Sequence, residues 1–490
     1  MKIRFIKLLC LLLAGLMLVL PLTACGNDST TATNTTAAST DQGAESDPVQ
    51  STINTLMNDV DWEGKEFGIL YVDALAGYKE ELEAMAEYSG NSSNAVINDA
   101  VFERNTLFEE YGDLQFVLLP TANSAFNSTM TNGVQSGTTD FYLCSQSAGD
   151  TVPASLSGYL YNYLELDIEY DHEWWDQGTL NFALDGRVFF MNGPFNIVDD
   201  DMTYVMMFNK ELCASHGLPD MYQTVRDKEW TMEYMNSIIS EFSADNGDGV
   251  WDDKDIYGLT ATPALADGFF YGAGLKYVNS TPDMAMPELM LADKMERAMN
   301  VLSMARKIIH ENNSTYMGIG LEIFIQNRAL FGFEVVSYLR TLSATMETEY
   351  GVIPVPKFDK AQEQYISRSN PIGSTLSIPT STAQVDMDLF ADTLELYCLL
   401  SQKLVKPAYY EVTLMVRNVQ DVESAEMLDL IFSNRVYDMA AYFVDLGLSN
   451  IFYEATMGKA DTFSSQYASA SRGFNRKVEG LLRKLQKPTK

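Results

Sequence analysis

Few residues in this chain are spaced for catalysis. His172, His216 and His310 lie far apart, so a zinc cluster would need long-range convergence. The sequence contains no HExxH, GxSxG, Walker loop or CxxC pattern. Carboxylates are plentiful, so a glycosidase pair is not excluded by inspection, but nothing picks one out. Two acidic constellations stand out. Asp199-Asp200-Asp201 crowds like charges that need solvent or a partner; it reads either as a set of hydrogen-bond acceptors or as an exposed charged turn. From Asn246 to Asp255 the chain resembles a calcium loop, with oxygen ligands at alternate positions around a turn glycine. Asn246, Asp248, Asp252 and Asp255 fall at loop positions three, five, nine and twelve, while position one is Ala244 and position twelve is the shorter Asp. The alternatives are a structural calcium site and a glycine turn of solvated acids, and no other cofactor is indicated.

The amino terminus carries Lys2, Arg4 and Lys7, then an apolar run from Leu8 to Leu22 that is short for a membrane span. It ends in Leu22-Thr23-Ala24-Cys25, which resembles the lipobox of bacterial lipoproteins, with Cys25 the lipidated residue and ordinary cleavage near Ala24 the bland reading. Residues 1–24 are thus expected to be a signal peptide. Residues 25–54 are expected to be a disordered tether, because Gly26 to Gln50 holds almost nothing large and apolar. A coil of that length has an end-to-end distance of roughly 25–30 Å. The expected location is the extracellular face of the cell membrane.

The chain has 33 basic and 67 acidic residues, a net charge of −34 that falls to −37 when the signal's three basic residues are removed. Nucleic acid is disfavoured as a partner, and the charge favours a soluble monomer. Arg472 to Lys490 is the one basic cluster and reads as a solvated helix face. Cys144, Cys213 and Cys398 are an odd count; the apolar neighbours of Cys144 and Cys398 point to buried free thiols.

The body is long enough for two domains. Phe67–Val72, Leu114–Leu119 and Asp140–Cys144 read as strands alternating with helices, one from Tyr78 and one over Val96–Tyr111 with Ile97, Val101 and Phe108 on one face. The pattern recurs with strands at Thr203–Phe208, Ala329–Phe333, Gly351–Val355 and Leu376–Pro379, and Thr231 is a candidate N-cap. Strands and helices alternating at this spacing argue for parallel α/β units.

Several segments in order resemble the extracellular solute-binding proteins, family 1, of ABC importers, the lineage of the maltose-binding protein. They are Asn98 to Asn105, Trp174-Trp175-Asp176, Phe208-Asn209-Lys210, Glu229-Trp230-Thr231, Gly351 to Lys357, Pro407 to Glu411, and Asp421 to Ile431. The resemblance implies an α/β, two-lobed periplasmic-binding-protein-like fold, with hinge strands and an interdomain ligand cleft that closes on its solute. On this reading one lobe takes 55–198 plus 378–432 and the other 199–377 plus 433–490, with crossings near Val198–Thr203 and Asn370–Pro379. The partners it implies are a small-molecule solute, carbohydrate first, and the transmembrane subunits of a permease. A glycoside-active surface enzyme and a peptide-binding or sensor-coupled module remain open.

Ligands of α/β lobes meet the carboxyl ends of the strands. That nominates Tyr71 and Asp73, and Ser145, Gln146 and Ser147; the first acids of the crossing, Asp199 and Asp200, join them. Phe270 and Tyr271 offer flat faces for a sugar ring, and Glu334 and Tyr338 follow a strand. Core packing is the competing account of the aromatics. Trp174 and Trp175 read as packing residues.

Overall fold

The computed structural model describes residues 47–72, 95–138, 140–311, 313–318, 321–413, 415–416, 419–420, 422–458 and 461–485. Cys25, Asp73 and the helix expected from Tyr78 lie outside them. Among the described residues no helix is long and apolar enough to cross a membrane.

The body begins earlier than its composition suggests. Pro48–Asp59 is a helix: Asp47 accepts from the Val49 amide at 3.0 Å, a proline opens the first turn, and Val49, Ile53 and Leu56 are buried. The expected tether over 25–54 overlaps this helix, because three apolar residues at helical spacing suffice to dock one short element. It packs on the helix Met387–Leu400.

Glu66–Val72 is the second strand of a first five-stranded sheet, with Gln115–Thr121 at the edge and Leu143–Ser147 in the middle parallel on either side of it. Ser374–Ser377 then pairs antiparallel to Leu143–Ser147, and Phe190–Met191 closes the order. The continuous apolar run follows from burial on both faces. Gly68 is required here, since any Cβ would run into the Asp140 carbonyl. The third strand starts at Leu143, later than expected; the Tyr142 amide donates to Gly68 oxygen and Tyr142 stacks on Phe67 at 5.3 Å. Trp174 and Trp175 do pack, donating their indole N–H groups to Glu395 at 3.0 and 2.7 Å.

The second sheet runs Tyr350–Ile353, Tyr204–Asn209, Ala329–Val335, Tyr257–Ala261, Thr315–Met317. Tyr204–Asn209 is antiparallel to both neighbours and the rest is parallel. Thr231 caps Met232–Phe242 by accepting from the Tyr234 amide at 3.2 Å, and Asn209 caps Lys210–Ser215 through the Leu212 amide at 2.9 Å. The helix Val422–Ser433, expected in the first lobe, packs on Tyr350–Ile353 of the second sheet.

The chain passes between the sheets after Met191 and again before Ser374, where Thr203 bridges Ser369 and the Asn370 amide donates to Met202 oxygen at 2.9 Å. A third strand pair, Ser367–Arg368 with Arg435–Val436, lies beside them. Helix Phe474–Leu485 packs on Ala148–Leu156, which follows the first sheet's third strand, so one apolar cluster runs through both halves. Cys144, Cys213 and Cys398 are free and buried.

Candidate functional site

The acids of the first crossing sit in the short helix Ile197–Asp201, opened by Asn196, which accepts from the Asp199 amide at 3.2 Å. Each acid has an internal partner. Asp201 is fully buried and takes two Arg340 bonds of 2.7 Å with a Tyr409 hydroxyl at 2.8 Å. Arg435, its side chain 7% exposed, reaches Asp200 at 2.8 Å and Asp199 at 3.1 Å, and also contacts Asp176. The Tyr437 hydroxyl lies against both Asp199 and Asp176, one proton for two carboxylates, and Ser369 donates to Asp199 at 2.8 Å. Burial pushes Asp200 up to about 6 and raises Asp199, with Arg435 opposing in both cases. Asp199 and Asp200 were expected to accept solute hydroxyls; the structure commits them to Arg435, because three crowded carboxylates need a cation before anything else.

On the second sheet's side of the crossing, Arg368 lies 5.8 Å from the Tyr204 ring and 5.2 Å from the Tyr271 ring, with Asp267 at 3.4 Å. Its Nε is buried without a hydrogen-bond partner among the described residues. Tyr204 stacks on Phe333 at 5.1 Å and accepts from Asn370 at 2.9 Å. Burial pushes Tyr204 up to about 12; Arg368 opposes, while Glu334 and Asp267 add to the rise. The expected residues Tyr271 and Glu334 therefore converge on this group. Phe270, by contrast, is core, packed on Tyr277 at 4.6 Å and Phe452 at 5.0 Å. Tyr338 opens the half-buried helix Tyr338–Thr345 away from this group, in a cluster with Leu339 and Tyr409.

On the first sheet's side, Ser145, Gln146 and Ser147 end the third strand and are buried. Ser147 is a cap, accepting from the Asp150 amide at 3.3 Å and donating to its carboxylate at 2.7 Å. Ser145 is paired in register with Leu376 and faces away from Gln146. Gln146 is 2% exposed, and among the described residues neither its amide oxygen nor its nitrogen has a partner. Its register neighbour Thr375 is 1% exposed and equally unmet at Oγ1. A buried unsatisfied amide costs about 1–3 kcal/mol, so this pair is a reserve of hydrogen-bonding capacity with no internal use. Tyr71 is not beside it: Tyr71 packs with Phe67 and Ile69 on the sheet's other face.

Nothing in the sequence marked Arg368, Thr375 or Arg435. They belong to short stretches without periodicity, and their partners are remote in the chain. A cavity of about 430 Å³ opens beside Arg435, walled by Trp174, Lys406, Tyr410 and Phe432; of the expected residues only Asp200 lines it.

In the acidic loop the side chains at the expected calcium positions are turned to the loop's own backbone. Its oxygens accept from its own backbone: Asn246 from the Asp248 amide at 3.0 Å, Asp248 from Val250 at 2.8 Å, and Asp252 from Lys254 at 2.8 Å. Asp255 holds the Asn246 and Asp252 amides at 2.8 and 2.7 Å. Among the described residues no group of three or more His, Cys, Asp and Glu is placed to hold a metal.

This architecture, two sheets with flanking helices joined by short crossings, is the two-lobed periplasmic-binding-protein-like fold seen in solved maltodextrin-binding proteins. A cyclic α-maltosyl-1,6-maltose binding protein from Arthrobacter globiformis is similar with a TM-score of 0.56 at 12% identity, over 85% of this chain and 99% of that one. A cyclo/maltodextrin-binding protein complexed with maltotetraose gives 0.53 at 12%, over 88% and 100%. UgpB from Mycobacterium tuberculosis in complex with glycerophosphocholine gives 0.52 at 15%, over 81% and 98%. The first two of these neighbours are named as binding proteins. No protein-family model matches the chain, and no curated protein matches it in sequence.

Proposed function

We propose that the chain is the solute receptor of an ABC importer, held at the outer face of the membrane by a lipid on Cys25, and that it captures a carbohydrate and hands it to the permease as a monomer without chemistry of its own. The observation that carries the reading is the Gln146–Thr375 pair, buried and unmet among the described residues, on two adjoining inner strands of the first sheet, the second of which follows the crossing that holds Arg368. An amide and a hydroxyl together offer donors and acceptors, the complement of a polyol's hydroxyls. The neighbours that bind maltodextrins and cyclic maltose oligosaccharides support sugar as the first class to test.

The test is a thermal-shift screen of the body against mono- and oligosaccharides, polyols and peptides. A ligand that binds only the folded state raises Tm, by about 2.7 kcal/mol of stability at a hundredfold excess over Kd. A shift with sugars supports the reading. A shift with peptides alone, or release of sugar on incubation, overturns it.

A further inference from the structure

Seven of the chain's 33 Lys and Arg residues lie between Arg472 and Lys490, against one acid, Glu479, in a chain whose net charge is −34. The helix Phe474–Leu485 organises that charge. Its buried stripe is Phe474, Val478, Leu481 and Leu485. At 3.6 residues per turn, Arg476 and Arg483 are two turns apart and directly opposite that stripe. Both are exposed, as is Arg472 at the end of the preceding helix Phe463–Arg472. Among the described residues none of these three arginines forms an ion pair. Gly480 stands between Arg476 and Arg483 on the outward face, where a Cβ would meet nothing. The flanking cations are used internally: Lys477 donates to Leu446 oxygen at 2.7 Å, and Lys484 pairs with Asp445 at 2.9 Å.

We infer that this face docks on an anionic phospholipid surface, the headgroup phosphates of the membrane from which the body hangs. The inference rests on the lipid-tether reading above for its location. Global charge argues against such docking, but the Debye length is about 8 Å at physiological ionic strength. Acids farther than that from the surface are screened, and the sign of the nearest patch decides. The patch is basic in an otherwise acidic chain. Residues 25–46, fully extended, would span roughly 70 Å, against a radius of gyration of about 22 Å for a body of this size, so the tether does not dictate which face meets the membrane. The helix would lie on the headgroups by charge alone, since its apolar stripe is already buried in the protein.

The body from Asp47 to Lys490 is a compact unit with its own cores, so it can be tested without its lipid. Cosedimentation is measured with vesicles of phosphatidylcholine alone and of phosphatidylcholine mixed with phosphatidylglycerol. The expected result is binding to the mixed vesicles only, weakening with salt. Arg476→Gln with Arg483→Gln should lower the partition coefficient roughly thirtyfold, about fivefold per arginine. Arg476→Lys with Arg483→Lys, which keeps the charge, should bind as the parent does. Lys65→Gln with Lys254→Gln removes the same charge from exposed sites elsewhere and should change nothing. No binding to the mixed vesicles, equal binding to both vesicle types, or equal losses in both glutamine variants would overturn the inference. Membrane fractionation of a Cys25→Ala chain and the solute screen report separately on the tether and the receptor readings.

Discussion

Arg435 is the cation that touches Asp176, Asp199 and Asp200 together, at the point where the chain passes between sheets. Replacing it with methionine keeps much of the side-chain volume and removes the charge. Breaking a buried ion pair from one side costs about 3–5 kcal/mol, and here three carboxylates lose one partner. The loss should depend on pH with a definite sign. A carboxyl whose folded pKa stands above its unfolded value keeps its proton where the unfolded chain has released it. Its stabilising contribution is complete below the unfolded pKa and is lost as pH rises through the folded one. In the parent, Asp200 at about 6 places that window between about pH 4 and pH 6. Without the guanidinium, Asp199 and Asp200 rise further and the window extends upward, each carboxyl contributing about 1.4 kcal/mol per pH unit. Urea unfolding of parent and variant should therefore show a small difference near pH 4 that widens to about 3–5 kcal/mol near pH 8. A difference that does not change with pH, or one below about 1 kcal/mol near pH 8, would refute the assignment of Arg435 as the charge that holds the crossing together.

Gln146→Leu should leave the free protein as stable or raise it by about 1–3 kcal/mol, because an unmet buried amide is removed, while abolishing the Tm shift given by the solute; a destabilised variant that still responds to solute would show that Gln146 has an internal role. Asp201→Asn, which removes the anion and one of the two bonds from Arg340 while the guanidinium stays in place, should cost about 3–5 kcal/mol by urea unfolding; parent-like stability would mean that the pair is solvated. Asp255→Ala should cost about 2–3 kcal/mol by orphaning the Asn246 and Asp252 amides; a rise in the parent's Tm on adding calcium would instead show that the loop rearranges around a cation.

Much of the scaffold was legible because it rests on local rules. The buried strand from Phe67, the helix with Ile97, Val101 and Phe108 inward, and the Thr231 cap are each fixed by a few consecutive residues. The placement of Tyr71 follows the same kind of rule. Tyr71 shares its parity with Phe67 and Ile69, so a period of two already sends it to the same core face.

The sequence by itself determined the α/β alternation, the export and tether signals as expectations, the acidic balance with its basic terminus, and the absence of familiar catalytic motifs. Tertiary structure alone decided which polar groups are spoken for. Asp199 looks like a free acceptor in sequence and is committed by Arg435, 236 positions later; Gln146 looks like an ordinary strand-end amide and is left unmet beside Thr375. The physical reason is that satisfaction of a buried polar group is a property of its surroundings in space. Those surroundings here are assembled at the crossings between the sheets, from residues that no window along the chain brings together.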